Sequence, residues 1–168
     1  GTLSWDQLND KATEVSAEQL ARRASSVRPT DTALIIFTSG TTGTPKGVMH
    51  NHSAMRACRD RAVLWGLRPG DCTIAYLPMF HVYGLGEIIF AAMVAGMRQI
   101  VMDVFDPHEA LALIAEHKVQ IIHGFDTHYA DLMKALDEKP YDLSSLRFGT
   151  FPSGSDGSIP VARAAQRR

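Results

Sequence analysis

The chain has 168 residues, 45% of them apolar, with 17 basic against 18 acidic side chains and a formal net charge of -1. That is enough for one domain with its own core, and a charge balance this even gives no reason to expect nucleic acid or an anionic membrane as partner. The longest apolar run, residues 88–95, falls far short of the roughly 20 residues a bilayer span needs, and the two cysteines, Cys58 and Cys72, sit inside apolar patterns as reduced thiols do. The expectation is a soluble, cytoplasmic protein without a transmembrane segment.

Two short helix signals come first, Ser4 with Gln7 and Ser16 with Gln19, each spaced as a capping box. Leu20, Ala21 and Ala24 give the second only a thin apolar stripe, so residues 1–30 read as a surface lead-in to an α/β core over 31–168. Pro29 and Asp31 break the helix, and the apolar run 33–37 predicts a buried strand.

That strand feeds residues 37–47, which read Phe-Thr-Ser-Gly-Thr-Thr-Gly-Thr-Pro-Lys-Gly. Thr38, Ser39, Thr41, Thr42 and Thr44 are neutral donors, Gly40 and Gly43 let backbone N–H groups approach a guest, and Lys46 supplies the one full positive charge. No acidic residue opposes them, so the loop suits an anion, and a triphosphate above all. It is not a Walker A loop, whose Gly-Lys-Ser/Thr opens a helix, because Lys46 follows Pro45 and leads into the strand-like 47–50.

Ser53 is placed to start a helix with Met55, Cys58, Ala62 and Trp65 at three- and four-residue steps. His50 and His52 flank Asn51 with no carboxylate or cysteine cluster nearby, and they read as structural rather than as metal ligands. From Pro69-Gly70 onward strands and helices alternate: strand 72–77, an apolar helix over 85–95 stopping at Gly96, strand 99–102, a helix opened by Asp106, Pro107 and Glu109 with Leu111, Ile114 and Ala115 inward, strand 119–122, a helix carrying Tyr129, Leu132, Met133 and Leu136, and strand 146–151. Strands separated by such helices predict right-handed crossovers and a mostly parallel sheet with helices on both faces.

Residues 77–84, Leu-Pro-Met-Phe-His-Val-Tyr-Gly, follow the C-terminal end of the first of these strands, where open α/β sheets bind ligands. Their His81 reads either as a substrate contact or as the cap of the next helix. The apolar stretch after it, Ile88, Ile89, Phe90, Met93 and Val94, reads as core more readily than as an acyl tunnel.

These motifs carry a resemblance. The string 37–47 resembles, position by position, the phosphate loop of the adenylate-forming superfamily of AMP-binding enzymes, and 78–84 resembles its Pro-x-Phe-His-x-x-Gly segment. A third, looser likeness joins Asp-Leu-Ser-Ser-Leu-Arg at 142–147 to the turn at 152–157, more polar here than in fatty-acyl ligases. The resemblance implies part of the large N-terminal domain of an acyl-CoA synthetase acting on a fatty or aryl acid, with ATP, magnesium and coenzyme A. It implies Thr38, Ser39, Gly40, Thr41, Thr42, Gly43, Thr44 and Lys46 around the phosphates, Lys46 and His81 as catalytic residues, and Gly154 and Ser155 against adenine. Amino-acid-activating relatives have Phe-Asp where this chain has Phe80-His81, so an anchor for a substrate ammonium is absent. The Tyr-Gly-x-Thr-Glu segment, the ribose-binding aspartate, the magnesium ligand and the catalytic lysine of the mobile C-terminal domain are not in this sequence, and residues 1–168 are expected to be a partial domain, inactive without the rest of its chain. Other readings are an NTPase, a nucleotide-binding module without turnover, and an adenylating enzyme that does not use coenzyme A.

Overall fold

The computed structural model describes residues 2–39, 43–152 and 157–167. It divides into two compact units, Gly1–Ser53 and Ala54–Arg168.

In the first unit, α1 (Trp5–Ala12) and α2 (Ala17–Ser25) start as the spacing predicts. The Ser4 and Ser16 hydroxyls accept the N–H groups of Gln7 and Gln19, whose side chains accept the Ser4 and Ser16 N–H groups in return. Neither helix buries a residue. β1 (Thr32–Thr38) and β2 (Lys46–Asn51) form an antiparallel hairpin whose register pairs Thr38 with Lys46 and Phe37 with Gly47. Asp31, held by the Arg28 N–H and guanidinium, accepts His52 N–H on its carbonyl and closes the base of the hairpin. The strand expected to be buried is not: Ile35 is 52% and Phe37 69% exposed. An apolar run says that residues favour extended structure and burial, but not that a covering layer lies in the same unit. The face carrying Ile35, Phe37 and Met49 stays open.

The second unit begins with α3 (Ser53–Leu64), whose inner positions Cys58 and Ala62 are buried. A four-stranded parallel sheet follows in the order β4-β3-β5-β6, from β3 (Cys72–Ala75), β4 (Arg98–Val101), β5 (Ile121–His123) and β6 (Phe148–Thr150). All four residues of β3 are buried, and since successive side chains point to opposite faces, both faces of the central strand are covered. Between β3 and β4 the chain forms a π-type helix (Tyr83–Phe90) and then α4 (Ala91–Ala95), which stops at Gly96 in the left-handed conformation. The wider winding is not encoded in the 3.6-residue apolar rhythm that predicts a plain α-helix there.

Asp106 caps α5 (Pro107–His117) through a 2.8 Å bond from Glu109 N–H, but the reciprocal Glu109 bond does not form, so half of the expected box holds. Leu111 and Ile114 are fully buried under the sheet's core cluster, with Ala110 beside them and Ala115 only half-buried. In α6 (Asp126–Glu138) Tyr129, Leu132 and Ala135 are buried, and Tyr129 and Leu132 border, with Met133 and Leu136, an apolar cavity of about 450 Å³. The structure adds a helix that the sequence reading does not contain, α7 (Ser158–Ala165), whose Pro160 sits in the first turn, where a proline removes no helical hydrogen bond. Ser158 donates to Asp126 at 2.8 Å and ties α7 to α6.

The connection out of β3 runs to β4, and that out of its other neighbour β5 runs to β6 on the opposite side. Adjacent strands thus send the chain in opposite directions, and the crevice beyond their C-terminal ends is where ligands of such sheets bind.

Candidate functional site

Those of the predicted phosphate residues that the structure describes lie at the mouth of the hairpin in the first unit. Thr38 ends β1, Lys46 opens β2, and the Thr38 hydroxyl donates to the Lys46 carbonyl at 3.4 Å. Ser39, Gly43, Thr44 and Lys46 are all exposed. Gly43 has φ of 81°, with open space where a side chain would be, so the turn bends in a conformation that glycine adopts without strain. At Gly47 a Cβ would come within 3.0 Å of the Ile35 side chain, so glycine there lets the strands meet under Ile35 and Phe37. Among the described residues Lys46 has no ion-pair partner. Its ammonium is available to a ligand. Gly40, Thr41, Thr42, Gly154 and Ser155 lie outside the described residues.

The second predicted segment lies in the other unit, directly after β3. Pro78 carbonyl accepts His81 N–H at 3.2 Å, and His81 carbonyl accepts Leu85 N–H at 2.9 Å, so the residue turns the chain from strand into helix. Its Nδ1 accepts Tyr83 N–H at 3.2 Å. The helix-capping reading of His81 therefore describes its Nδ1, while the ring itself is exposed and leaves Nε2 for another partner. Phe80 beside it is 82% exposed. Gly84 is buried because the helix begins against the preceding turn: a Cβ there would lie 2.3 Å from the Pro78 carbonyl oxygen.

A polar cluster at the C-terminal ends of β5 and β6 was missed from the sequence. Thr150 Oγ1 lies 2.8 Å from the Tyr83 hydroxyl and 2.5 Å from His123 Nδ1, and its carbonyl accepts the Tyr129 hydroxyl at 3.1 Å. The signal is a histidine directly after the apolar run 119–122: the run alone ends the strand at Ile122, whereas β5 extends to His123. His123 is fully buried against the Trp65 ring, and burial pulls its pKa down to about 4. Burial likewise raises the Tyr83 and Tyr129 hydroxyls, so all three groups are neutral near pH 7.

A titration follows from this. An unfolded His123 takes up a proton near pH 6.5 and the folded one only near 4, so between these values the unfolded chain binds more protons and stability falls as pH falls. The full difference is on the order of 3 kcal/mol, about 1.4 kcal/mol per pKa unit. Thermal melts from pH 7 to pH 4 should show a progressive loss that is shallower in His123→Gln; parallel curves would mean that His123 is not held neutral.

Among the described residues, no three His, Cys, Asp or Glu side chains are grouped to hold a metal, and no helix is long and apolar enough to cross a membrane.

Comparison with known proteins bears on both segments. The sequence pattern of the AMP-binding enzymes matches residues 2–168. A 3-[(3aS,4S,7aS)-7a-methyl-1,5-dioxo-octahydro-1H-inden-4-yl]propanoyl:CoA ligase of Mycobacterium tuberculosis is 36% identical over 95% of this chain and 32% of its own. The inhibitor-bound N-terminal domain of FACL13 from Mycobacterium tuberculosis superposes with a TM-score of 0.70 at 27% identity, over 90% of this chain and 41% of that one. O-succinylbenzoate coenzyme A synthetase from Bacillus subtilis, in complex with AMP, gives 0.68 at 28% identity, over 83% of this chain and 35% of that one. The chain spans about a quarter to a third of the curated relatives it matches. With an α/β fold like that of the N-terminal domains of adenylate-forming enzymes and a family match along nearly all its length, the chain belongs to the AMP-binding enzymes.

Proposed function

We propose that the protein carrying this chain is an ATP-dependent acyl-CoA synthetase of the cytoplasm. The observation that carries the reading is the hairpin mouth: an exposed Lys46 without an ion-pair partner among the described residues, neutral hydroxyls at Thr38, Ser39 and Thr44, and a left-handed Gly43. In the proposed reaction a carboxylate oxygen attacks the α-phosphorus of ATP, the bond to the β-phosphate breaks, and pyrophosphate leaves. The coenzyme A thiol, giving up its proton to solvent, then attacks the acyl carbon of the acyl-AMP anhydride, and AMP departs with the electron pair of the broken acyl C–O bond on its phosphate. Lys46 orients the β- and γ-phosphates and neutralises the charge that develops as they leave, which is electrostatic positioning rather than covalent catalysis. Gly40, Thr41 and Thr42 complete the loop, Gly154 and Ser155 abut adenine, and His81 borders the acid near its carboxylate. Magnesium would accompany the phosphates. The buried thiols of Cys58 and Cys72, unpaired with each other, suit the cytoplasm.

The acid is of the fatty or aryl kind. With His81 after Phe80 there is no carboxylate to pair an α-ammonium, and burying that cation unpaired costs several kcal/mol. ATP–pyrophosphate exchange by the full-length protein should respond to fatty or aryl acids and little to amino acids. Stronger exchange with amino acids would overturn the substrate class, and production of ADP and phosphate in place of AMP and pyrophosphate would overturn the reaction.

A further inference from the structure

His81 is not held by its own turn alone. Its Nδ1 accepts the Tyr83 N–H at 3.2 Å, so ring orientation depends on where Tyr83 sits. The Tyr83 side chain in turn reaches away from the helix to the end of β6, where its hydroxyl meets Thr150 Oγ1 at 2.8 Å and lies 3.3 Å from the Thr150 carbonyl. Thr150 Oγ1 is engaged from its other side by His123 Nδ1. The Tyr129 hydroxyl fixes the Thr150 carbonyl, at 3.1 Å. Packing supports the same posts: Tyr83 lies against Phe125 at a centroid distance of 5.2 Å and edge-on to His123 at 6.5 Å, and Trp65 braces His123 at 5.7 Å.

We propose that Tyr83, Thr150 and His123 form a positioning relay that holds His81 in register with the end of β6. The inference rests on the proposed role of His81 at the acid, and adds three residues that touch neither substrate. Two arrangements put a proton in both short contacts and keep every hydroxyl proton within the relay. In one, the Tyr83 hydroxyl donates to the Thr150 carbonyl, Thr150 Oγ1 donates to Tyr83, and His123 Nδ1–H donates to Thr150. In the other, Tyr83 donates to Thr150 Oγ1, which donates to an unprotonated His123 Nδ1. Both need a neutral tyrosine, and both satisfy a hydroxyl that would otherwise be left unpaired at the sheet end. The π-type winding that begins at Tyr83 points the same way, since such a helix is rare and shifts side chains out of α register at the segment it serves.

The test uses Tyr83→Phe, Thr150→Val and the double variant in the full-length protein, with Thr150→Ser as the conservative rescue. Phe keeps the ring and Val keeps the shape, and because Thr150→Val also unpairs the buried His123 Nδ1, each variant is compared only after its melting curve shows it folded. Each single variant should lower kcat/KM for the acid by about 3- to 12-fold, the range of one neutral hydrogen bond, with a smaller change in KM for ATP. The double variant should be close to the poorer single, because each single already breaks the shared Tyr83–Thr150 hydroxyl contact, and Thr150→Ser should recover most of the loss. Backbone hydrogen exchange of the ligand-free protein should quicken over residues 81–86 in Thr150→Val. Multiplicative losses in the double variant, or exchange over 81–86 that is unchanged in Thr150→Val, would overturn the relay. The exchange measurement needs no turnover, so quickened exchange in a protein that forms no acyl-adenylate would leave the relay standing and sink the proposed reaction instead.

Discussion

Lys46→Met in the full-length enzyme is expected to weaken its use of ATP by about 10- to 150-fold, the equivalent of one charge-assisted hydrogen bond of roughly 1.5 to 3 kcal/mol. Use of the acid should change much less. The asymmetry follows from the composition of the loop, where Lys46 is the only cation and the hydroxyls and glycine N–H groups are neutral donors that partly replace one another. The structure adds two reasons for a large effect. Lys46 has no carboxylate partner among the described residues, so no existing ion pair would be broken to serve a phosphate. Its backbone is also fixed, as the first residue of β2 paired with Thr38, which limits how far the ammonium can wander. An ordinary exposed hairpin lysine would behave differently: its loss would alter stability by a few tenths of a kcal/mol and leave ligand use alone. The measurement is the apparent affinity for ATP and for the acid, each at saturating partner. Equal ATP affinities in the two proteins would take away the charge on which the phosphate-loop reading depends.

The features legible in the sequence were those set by local chemistry. Ser4 and Ser16 cap because a serine hydroxyl and the side chain of a glutamine three residues on each accept one otherwise orphaned N–H group, whatever the helix packs on. Gly96 stops its helix because only glycine takes the left-handed conformation at little cost, and the alternation from Cys72 to Thr150 yields a parallel sheet because strands of one hand need helical crossovers. What escaped depends on partners far along the chain. Ile35 and Phe37 read as buried, yet their exposure is decided by which layer covers the hairpin, about which their own sequence is silent. The π-type winding over Tyr83–Phe90 has no counterpart in the apolar rhythm, and the meeting of Tyr83, His123 and Thr150 depends on strand order. Of the proposed site, the sequence names Lys46 and His81 by motif alone, and the hairpin register and the turn after β3 give those two residues their geometry.

Gly84→Ala should be the most damaging small substitution near His81, costing on the order of 3 kcal/mol, whereas Gly86→Ala two positions on should be neutral or mildly stabilising. Both glycines lie in the same helix, so intrinsic propensity favours alanine equally at each, by up to about 1 kcal/mol. Space separates them. A Cβ at Gly84 would sit 2.3 Å from the Pro78 carbonyl oxygen and 3.1 Å from that of Leu77, both backbone atoms, whereas at Gly86 the nearest atom is a Val82 methyl at 4.0 Å. Backbone cannot rotate aside as a side chain can, so the turn itself must open, at a cost at the upper end of over-packing. The Pro78 carbonyl also accepts the His81 N–H, and moving it disturbs the residue proposed to border the acid. Gly84→Ala should therefore lower the melting temperature by about 6 to 12 °C, if the 2 to 4 °C per kcal/mol of chains this size holds, and lower kcat/KM for the acid in the protein that remains folded. Gly86→Ala should leave the acid alone. Similar melting temperatures for the two variants would mean that the strand-to-helix turn is slack, and that His81 is not held by the contact between Gly84 and Pro78.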